Sequence, residues 1–226
     1  MISTTSRWSY WFRLSSAATL QPRWLVRRFP YFFGTGGSGY FFSPSMQPFD
    51  SARLHFRPLT AADTAGMFAL DSDPAVHRYL GGIGGQLVSE PAQSAALIAY
   101  IQQQYAEHGV GRWAVILRET GEFMGWAGLK LVAGPINGET NYYDLGYRFM
   151  PRFWSQGYGF EAARAWLDYG FETLRRPRIC AYVDWHNVAS RRILSKIGMR
   201  QGPRFLLEGV PCIWYEAGEP AHRLPE

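Results

Sequence analysis

Hydrophobic positions from Arg53 onward follow helical spacing in some segments and strand spacing in others. Between Pro91 and Gly109 the apolar residues recur at helical intervals, which predicts an amphipathic helix. The residues expected on its buried face are Ala95, Ile98, Ile101 and Tyr105. From Trp113 the period becomes two. A strand to Arg118, a turn at 119–122 and a strand at Phe123–Val132 therefore predict a hairpin.

Short local signals bound the remaining elements. Thr60, followed by Asp63, forms a capping-box pattern that starts a helix after the first strand. Asn187 is suited to cap a helix that ends at Gly198. The other predicted elements are strands at Leu54–Leu59, Tyr142–Met150 and Arg178–Asp184, a helix at Phe160–Leu174 and a final hairpin around Glu208 and Gly209. This order predicts an α/β fold, a mixed sheet with helices on both faces.

The net charge of +5 comes from the first part of the chain. Residues 1–49 contain Arg7, Arg13, Arg23, Arg27 and Arg28 and no acidic residue, so the other 18 basic residues balance all 18 acidic ones. We therefore predict a basic, aromatic leader at 1–49, a neutral domain at 50–218 and a tail at 219–226.

Three interpretations of the leader compete. It could be an organellar targeting segment, a segment that binds single-stranded nucleic acid, or an extension outside the native protein. We favour the third, because the sequence from Met46 runs directly into the first strand.

Composition favours a cytoplasmic protein, with organellar targeting as the lesser alternative. Cys180 and Cys212 lie in apolar runs without metal-ligand spacing, so buried reduced thiols are expected. The five histidines are scattered, and no metal site is expected. No apolar run approaches the roughly 20 residues of a membrane helix. We expect no membrane or nucleic-acid partner, and either a monomer or a homodimer.

The glycine turn, Trp154–Gly159, raises the main functional question. It lies between a predicted strand and a predicted helix, and it contains Gly157 and Gly159. Glycine lets the backbone approach a ligand closely, and the N-terminus of a helix attracts anions. A pyrophosphate would fit there, although a plain tight turn explains the glycines equally well. The turn matches neither the dinucleotide-binding pattern nor a P-loop.

Four blocks in this order resemble the GNAT superfamily of acyl-CoA-dependent N-acetyltransferases. Within it, they are most similar to the branch that includes ribosomal-protein N-terminal (alanine/serine) acetyltransferases. The blocks are LHFRPLTAADTAGMFALDSDPAVHRYLGG, RETGEFMGWAGL, YDLGYRFMPRFWSQGYGFEA and HNVASRRILSKIGM. The resemblance covers Arg53 to about Glu216.

The resemblance implies a fold, a co-substrate and site residues. In the family, two central parallel strands splay apart, and acetyl-CoA binds between them as co-substrate, without a metal. Its pantetheine arm would pair with the backbone of Leu145, Gly146 and Tyr147, and Asn187 and Ser190 would flank the thiol. The residues expected to hold the pyrophosphate are Trp154, Ser155, Gln156, Gly157, Tyr158 and Gly159. The acceptor would be an amine, on a protein N-terminus or a small molecule, that attacks the thioester directly.

The resemblance leaves the acid and base of the reaction open. Many family members have a tyrosine as acid where this chain has Leu194, and Ser190 would take over that role by bonding to the sulfur. Asp144 and Asp184 are candidate bases, and both could equally be solvated carboxylates. Arg148 and Arg152 are candidate phosphate contacts, with the alternative that they are only solvated, as exposed arginines near a loop usually are. A non-catalytic acyl-CoA-binding domain and a nucleic-acid protein acting through its leader remain as alternatives.

Overall fold

The structure is a computed structural model, and it describes residues 46–80 and 87–218. The strands are β1 Phe49–Asp50, β2 Leu54–Pro58, β3 Arg112–Leu117, β4 Phe123–Val132, β5 Tyr142–Phe149, β6 Arg178–Asp184, β7 Arg200–Leu207 and β8 Val210–Gly218. The helices are α1 Thr64–Asp71, α2 Pro74–His77, α3 Pro91–His108, α4 Tyr158–Glu172 and α5 Val188–Lys196. Short 3-10 turns at Ala61–Asp63 and Pro151–Phe153 precede α1 and α4.

All of these strands form a single mixed sheet in the order β1-β2-β3-β4-β5-β6-β8-β7. Within the described residues, neighbouring strands are antiparallel except β5 and β6, which are parallel. Helix α4 lies on one face, where a side chain at Gly170 would collide with Ile179 and Leu129. Helix α1 lies on the other face, where Asp71 pairs with Arg148 of β5. The predicted mixed sheet with helices on both faces is confirmed.

The core begins before the predicted domain boundary at residue 50. Met46 is buried, and the Phe49 ring stacks on Phe56 at 4.8 Å and on Tyr169 of α4 at 4.5 Å. Trp166 packs edge-on against Trp113 in the same cluster. Burying each large aromatic side chain contributes about 1.5–3 kcal/mol, so this cluster is a main attachment of α4 to the sheet.

Local signals located most elements to within two residues, and two details differ from prediction. The sequence pattern missed β1, because a strand of two residues is too short to show a period. The buried face of α3 holds Ser94, Ile98, Ile101 and Tyr105, whereas Ala95 is exposed. The larger residues set the rotation of the helix, and the small Ala95 lies just outside the stripe.

Both cysteines are buried and reduced, as predicted. Burial raises the pKa of the Cys180 thiol to about 12 and that of Cys212 to about 11, so neither is a thiolate at neutral pH. The leader before Met46, the connection Gly81–Gly85 and the tail from residue 219 lie outside the described residues. Within the described part of the chain, no helix is long and apolar enough to cross a membrane. In the same residues, no cluster of three or more His, Cys, Asp or Glu side chains could hold a metal ion.

Candidate active site

Strands β5 and β6 part soon after they begin. In their parallel pairing, Tyr143 lies opposite Ile179 and Asp144 lies opposite Cys180, and the two strands have no further paired residues. β5 nevertheless continues along β4 as far as Phe149, while β6 continues along β8 as far as Asp184. From Leu145 onward, the β5 edge that faces β6 therefore has no strand partner among the described residues. Backbone groups on such an edge are available to an extended ligand.

The glycine turn connects the end of this edge to the start of α4. Two of its backbone positions are left-handed, Ser155 with φ 60° and Gly157 with φ 84°. Gly157 is the N-cap residue of α4. Side chains of the turn bond back to nearby carbonyls: the Trp154 indole N–H to Phe149 O at 2.7 Å, and the Gln156 amide to Arg152 O at 2.7 Å. The Gln156 side-chain amide is thus engaged by a nearby carbonyl, so Gln156 can contribute its backbone N–H to the predicted pyrophosphate site.

The two glycines of the turn lie in different surroundings. Gly157 adopts a backbone conformation that other residues rarely adopt, and a Cβ there would lie 3.3 Å from Nη2 of Arg53. At Gly159 a Cβ would lie 3.1 Å from Cδ1 of Ile193, on α5. Gly157 therefore shapes the turn, while Gly159 lets α5 approach α4. A left-handed turn leading into a helix of this length presents N–H groups to an anion, so these residues fit a bound pyrophosphate.

The start of α5 closes the other side of the opening. Oδ1 of Asn187 accepts a hydrogen bond from the Ser190 N–H at 3.1 Å, which confirms the predicted helix cap. The Tyr147 hydroxyl donates to Ser190 O at 3.4 Å and so connects β5 to this first turn. Burial raises the pKa of Tyr147, which keeps the phenol protonated. Leu194 is buried in the core. Asn187, Ser190 and the open edge of β5 are thus brought together.

The candidate bases are engaged in contacts that the sequence did not reveal. Asp144 is buried, and its carboxylate pairs with Nη2 of Arg112. Nη1 of Arg112 also donates to the Asp144 carbonyl at 2.7 Å and to the Gly128 carbonyl. Asp184 accepts from the His186 N–H at 2.7 Å in a local turn.

The candidate phosphate-binding arginines also have acidic partners. Arg148 pairs with Asp71, and Arg152 pairs with Glu122 at 2.6 Å. Neither ion pair includes a residue of the glycine turn. Arg53, which the sequence analysis did not single out, contacts that turn directly. Its acidic partner is Glu161, which is 108 positions away in sequence, so no local pattern could have predicted the pair.

Comparison with known proteins agrees with this geometry. The family described as acetyltransferase (GNAT) domain matches residues 53–200. The uncharacterized N-acetyltransferase YoaA of Bacillus subtilis is 30% identical over 67% of this chain and 82% of its own length. The FsC-acetyl coenzyme A-N(2)-transacetylase of Aspergillus fumigatus is 28% identical over 66% of this chain and 63% of its own.

Among solved structures, a Vibrio cholerae protein proposed to be a ribosomal-protein-serine acetyltransferase has the same fold. Its TM-score is 0.61 at 21% identity, and the match covers 76% of this chain and 97% of that one. The family match extends over well more than half of the 226 residues and includes the opening between β5 and β6, the glycine turn and the α5 cap. The chain therefore belongs to the GNAT family of N-acetyltransferases.

Proposed function

We propose that this enzyme transfers the acetyl group of acetyl-CoA directly to a primary amine while both substrates are bound. The observation that carries the proposal is the opening between β5 and β6, whose free strand edge runs from the glycine turn toward the centre of the sheet. A ligand with a phosphorylated end, an extended amide-containing arm and a terminal thioester matches these features in that order.

Each part of the site has a binding role in this proposal. Backbone N–H groups of Ser155–Gly159, together with the positive end of α4, hold the pyrophosphate. Trp154, which the sequence analysis included, has no donor left, because its backbone N–H donates to Pro151 O at 3.0 Å and its indole N–H to Phe149 O at 2.7 Å. The backbone of Leu145, Gly146 and Tyr147 pairs with the amides of the pantetheine arm. Asn187 and Ser190 lie beside the thiol end. Bound acetyl-CoA supplies a thioester: the amine forms a bond to its carbonyl carbon, the C–S bond breaks, the nitrogen loses a proton and the sulfur gains one.

Ser190 is our candidate donor to the sulfur. It is half-buried in the first turn of α5, and its backbone is held on both sides by Asn187 and Tyr147. Asp144, in contrast, was a candidate proton acceptor, but its carboxylate is committed to Arg112. We therefore assign Asp144 to holding β5 in place, and an amine that arrives neutral requires no dedicated base.

Two classes of acceptor enter the proposal, protein N-termini and small-molecule amines. Both classes are represented among the similar proteins, which include a structure described as a proposed ribosomal-protein-serine acetyltransferase and an FsC-acetyl coenzyme A-N(2)-transacetylase. In this proposal the acceptor groove is formed by α1, α3 and the final hairpin of β7 and β8. Trp126 and Lys130 of β4 and Tyr182 of β6 are partly buried.

The first test is calorimetric titration of acetyl-CoA into the full chain, followed by CoA release with peptide N-termini and with small amines. We expect micromolar binding and release with one acceptor class. No binding by the folded protein would overturn the whole proposal. Binding without release from either class would overturn transfer to these acceptors and favour an acyl-CoA-binding role.

The role of Ser190 is tested with Ser190→Ala and a matched control on the same helix, the exposed Ser195→Ala. Loss of a donor to the leaving group should lower kcat by about tenfold to a hundredfold. Acetyl-CoA affinity should change little, and the control should behave as wild type. An unchanged kcat in Ser190→Ala would remove Ser190 from the mechanism.

A further inference from the structure

We propose that Arg53 is a positioning residue for the co-substrate: together with Glu161, it fixes the orientation of the peptide group at the start of α4 that binds the phosphates. The inference rests on the proposed acetyl-CoA site, and it adds a residue from the distant N-terminal strand segment. Arg53 immediately precedes β2, and Glu161 lies in the first turns of α4.

Arg53 and Glu161 are joined by a set of short contacts. The Arg53 side chain donates from Nε to Oε2 of Glu161 at 2.7 Å, and its backbone N–H donates to Oε1 at 2.7 Å. The Ser51 hydroxyl also donates to that Oε1 at 2.7 Å. The guanidinium lies 4.3 Å from the centre of the Tyr158 ring. Glu161 therefore holds the guanidinium in one orientation against the glycine turn.

The remaining contact reaches the turn itself. Nη1 of Arg53 donates to the carbonyl oxygen of Gln156 at 3.0 Å. No cis peptide bonds are present in the described chain, so the C=O of Gln156 and the N–H of Gly157 point in opposite directions. By holding the carbonyl on one side, Arg53 directs the Gly157 N–H to the other side of the turn. That N–H is among the unsatisfied donors at the N-terminus of α4, where an anion binds.

The turn needs such a contact because its own sequence does not fix this peptide. Glycine tolerates both signs of φ, so the Gln156–Gly157 peptide can rotate at little steric cost. The flanking side-chain contacts, from Trp154 and Gln156, hold the carbonyls of Phe149 and Arg152 and leave this peptide to Arg53. Arg53 thus fixes in advance a donor that the ligand would otherwise have to order on binding.

This role predicts a large effect on binding and a small one on stability. The side chains of Arg53 and Glu161 are 45% and 15% exposed, so the pair is partly open to water and should contribute less to folding than a fully buried pair. Helix α4, which carries Glu161, offers a matched control. Its Arg164 pairs with Asp168 at 3.0 Å, and Arg164 lines the same surface groove as Arg53. That groove, about 450 Å³, also contains Gly157, Phe160 and Glu161, but the Arg164 pair stays within the helix.

The test compares Arg53→Met, Arg53→Lys, Glu161→Gln and the control Arg164→Met in the full chain by calorimetry and thermal unfolding. We expect Arg53→Met to weaken acetyl-CoA binding about tenfold, or about 1.4 kcal/mol. Glu161→Gln should show part of that loss, and Arg164→Met should bind as wild type. S-acetylpantetheine, which lacks the pyrophosphate, should bind Arg53→Met and wild type alike, whereas general loosening of the site would weaken both ligands.

Three results would overturn the inference while leaving the proposed function intact. One is wild-type acetyl-CoA affinity in Arg53→Met. Another is wild-type acetyl-CoA affinity in Arg53→Lys. A lysine keeps the charge, but it cannot donate to Glu161 and Gln156 at once in the fixed geometry of a planar guanidinium. The third is an equal loss of S-acetylpantetheine binding. If wild type itself fails to bind acetyl-CoA, the proposed function fails instead.

Discussion

Arginine side chains hold backbone carbonyls beside glycine residues in two regions, the glycine turn and the point where β5 leaves β6. At the turn, the exposed Arg53 holds Gln156 O next to Gly157. At the sheet, the Arg112 side chain is only 10% exposed, holds the carbonyls of Gly128 and Asp144, and lies over Gly146.

The same chemical arrangement should have different consequences in the two regions. Charges interact weakly in water, and leaving one member of a pair alone is costly only where water is excluded. We therefore expect the Arg112 contacts to control folding and the Arg53 contacts to control ligand binding. A third pair, Arg57 with Asp63, is intermediate in exposure, since its side chains are 30% and 5% exposed.

The largest effect is expected for Asp144→Asn. The substitution leaves the Arg112 charge buried without its carboxylate, which should cost about 3 kcal/mol in the free energy of unfolding. The surface variant Asp168→Asn, which also removes a carboxylate from an arginine pair, should cost at most about 0.5 kcal/mol. Denaturant unfolding measures both.

The catalytic activity of Asp144→Asn provides a second measurement. CoA release per folded molecule of Asp144→Asn should remain within a few-fold of wild type. Unchanged stability with activity abolished would identify Asp144 as the base and contradict its assignment to Arg112.

The next effect concerns the glycine beneath Arg112. A Cβ at Gly146 would lie 2.6 Å from Nη2 of Arg112, whose hydrogen bonds prevent it from moving freely. Gly146→Ala should therefore destabilise the protein by about 2 kcal/mol. Gly134→Ala is the control, because its Cβ would meet nothing within 4 Å. Equal unfolding midpoints for the two variants would show that Arg112 is not fixed in place.

An intermediate effect with a defined pH dependence is expected at Asp63. Burial opposes its ionisation, but hydrogen bonds from Arg57 and Thr60 prevail and lower its pKa below the ordinary 3.8. A lowered pKa contributes stability above the ordinary value, and that contribution is lost as the pH falls toward the folded value. Asp63→Asn should cost about 1–2 kcal/mol at pH 7.

The difference between wild type and Asp63→Asn should shrink below about pH 4, because the wild-type carboxylate then becomes protonated. Unfolding curves from pH 7 down to pH 3 measure it. A difference that stays constant over this range would mean that the charge of Asp63 is not what stabilises the first turn.

The sequence predicted those parts of the site that local chemistry determines. The Asn187 cap, the end of α3 at Gly109 and the turn at Glu208 and Gly209 each follow from a few adjacent residues. The opening between β5 and β6 was expected only from the resemblance, since no local pattern states that two strands will part.

The pairs that hold the site together could not be predicted, because they join distant residues. Arg112 and Asp144 are 32 positions apart, and Arg53 and Glu161 are 108 apart. In the sequence each is one charged residue among many, and only the fold decides which of them meet. For the same reason Asp144 looked like an edge carboxylate, although it is buried against Arg112.

The smallest effect separates the two glycines of the turn. Gly157→Ala forces a side chain into a left-handed conformation, which should cost about 1 kcal/mol in stability and weaken acetyl-CoA binding, because the turn must shift against Arg53. In Gly159→Ala the added Cβ is close to the flexible end of Ile193 and at ordinary contact distance, 3.9 Å, from the Tyr147 ring. Alanine also favours the helix, so the stability should stay near wild type. Calorimetry and thermal unfolding of both variants decide the matter. Stronger loss of binding in Gly159→Ala would transfer the phosphate-binding role from the turn to the contact between α4 and α5.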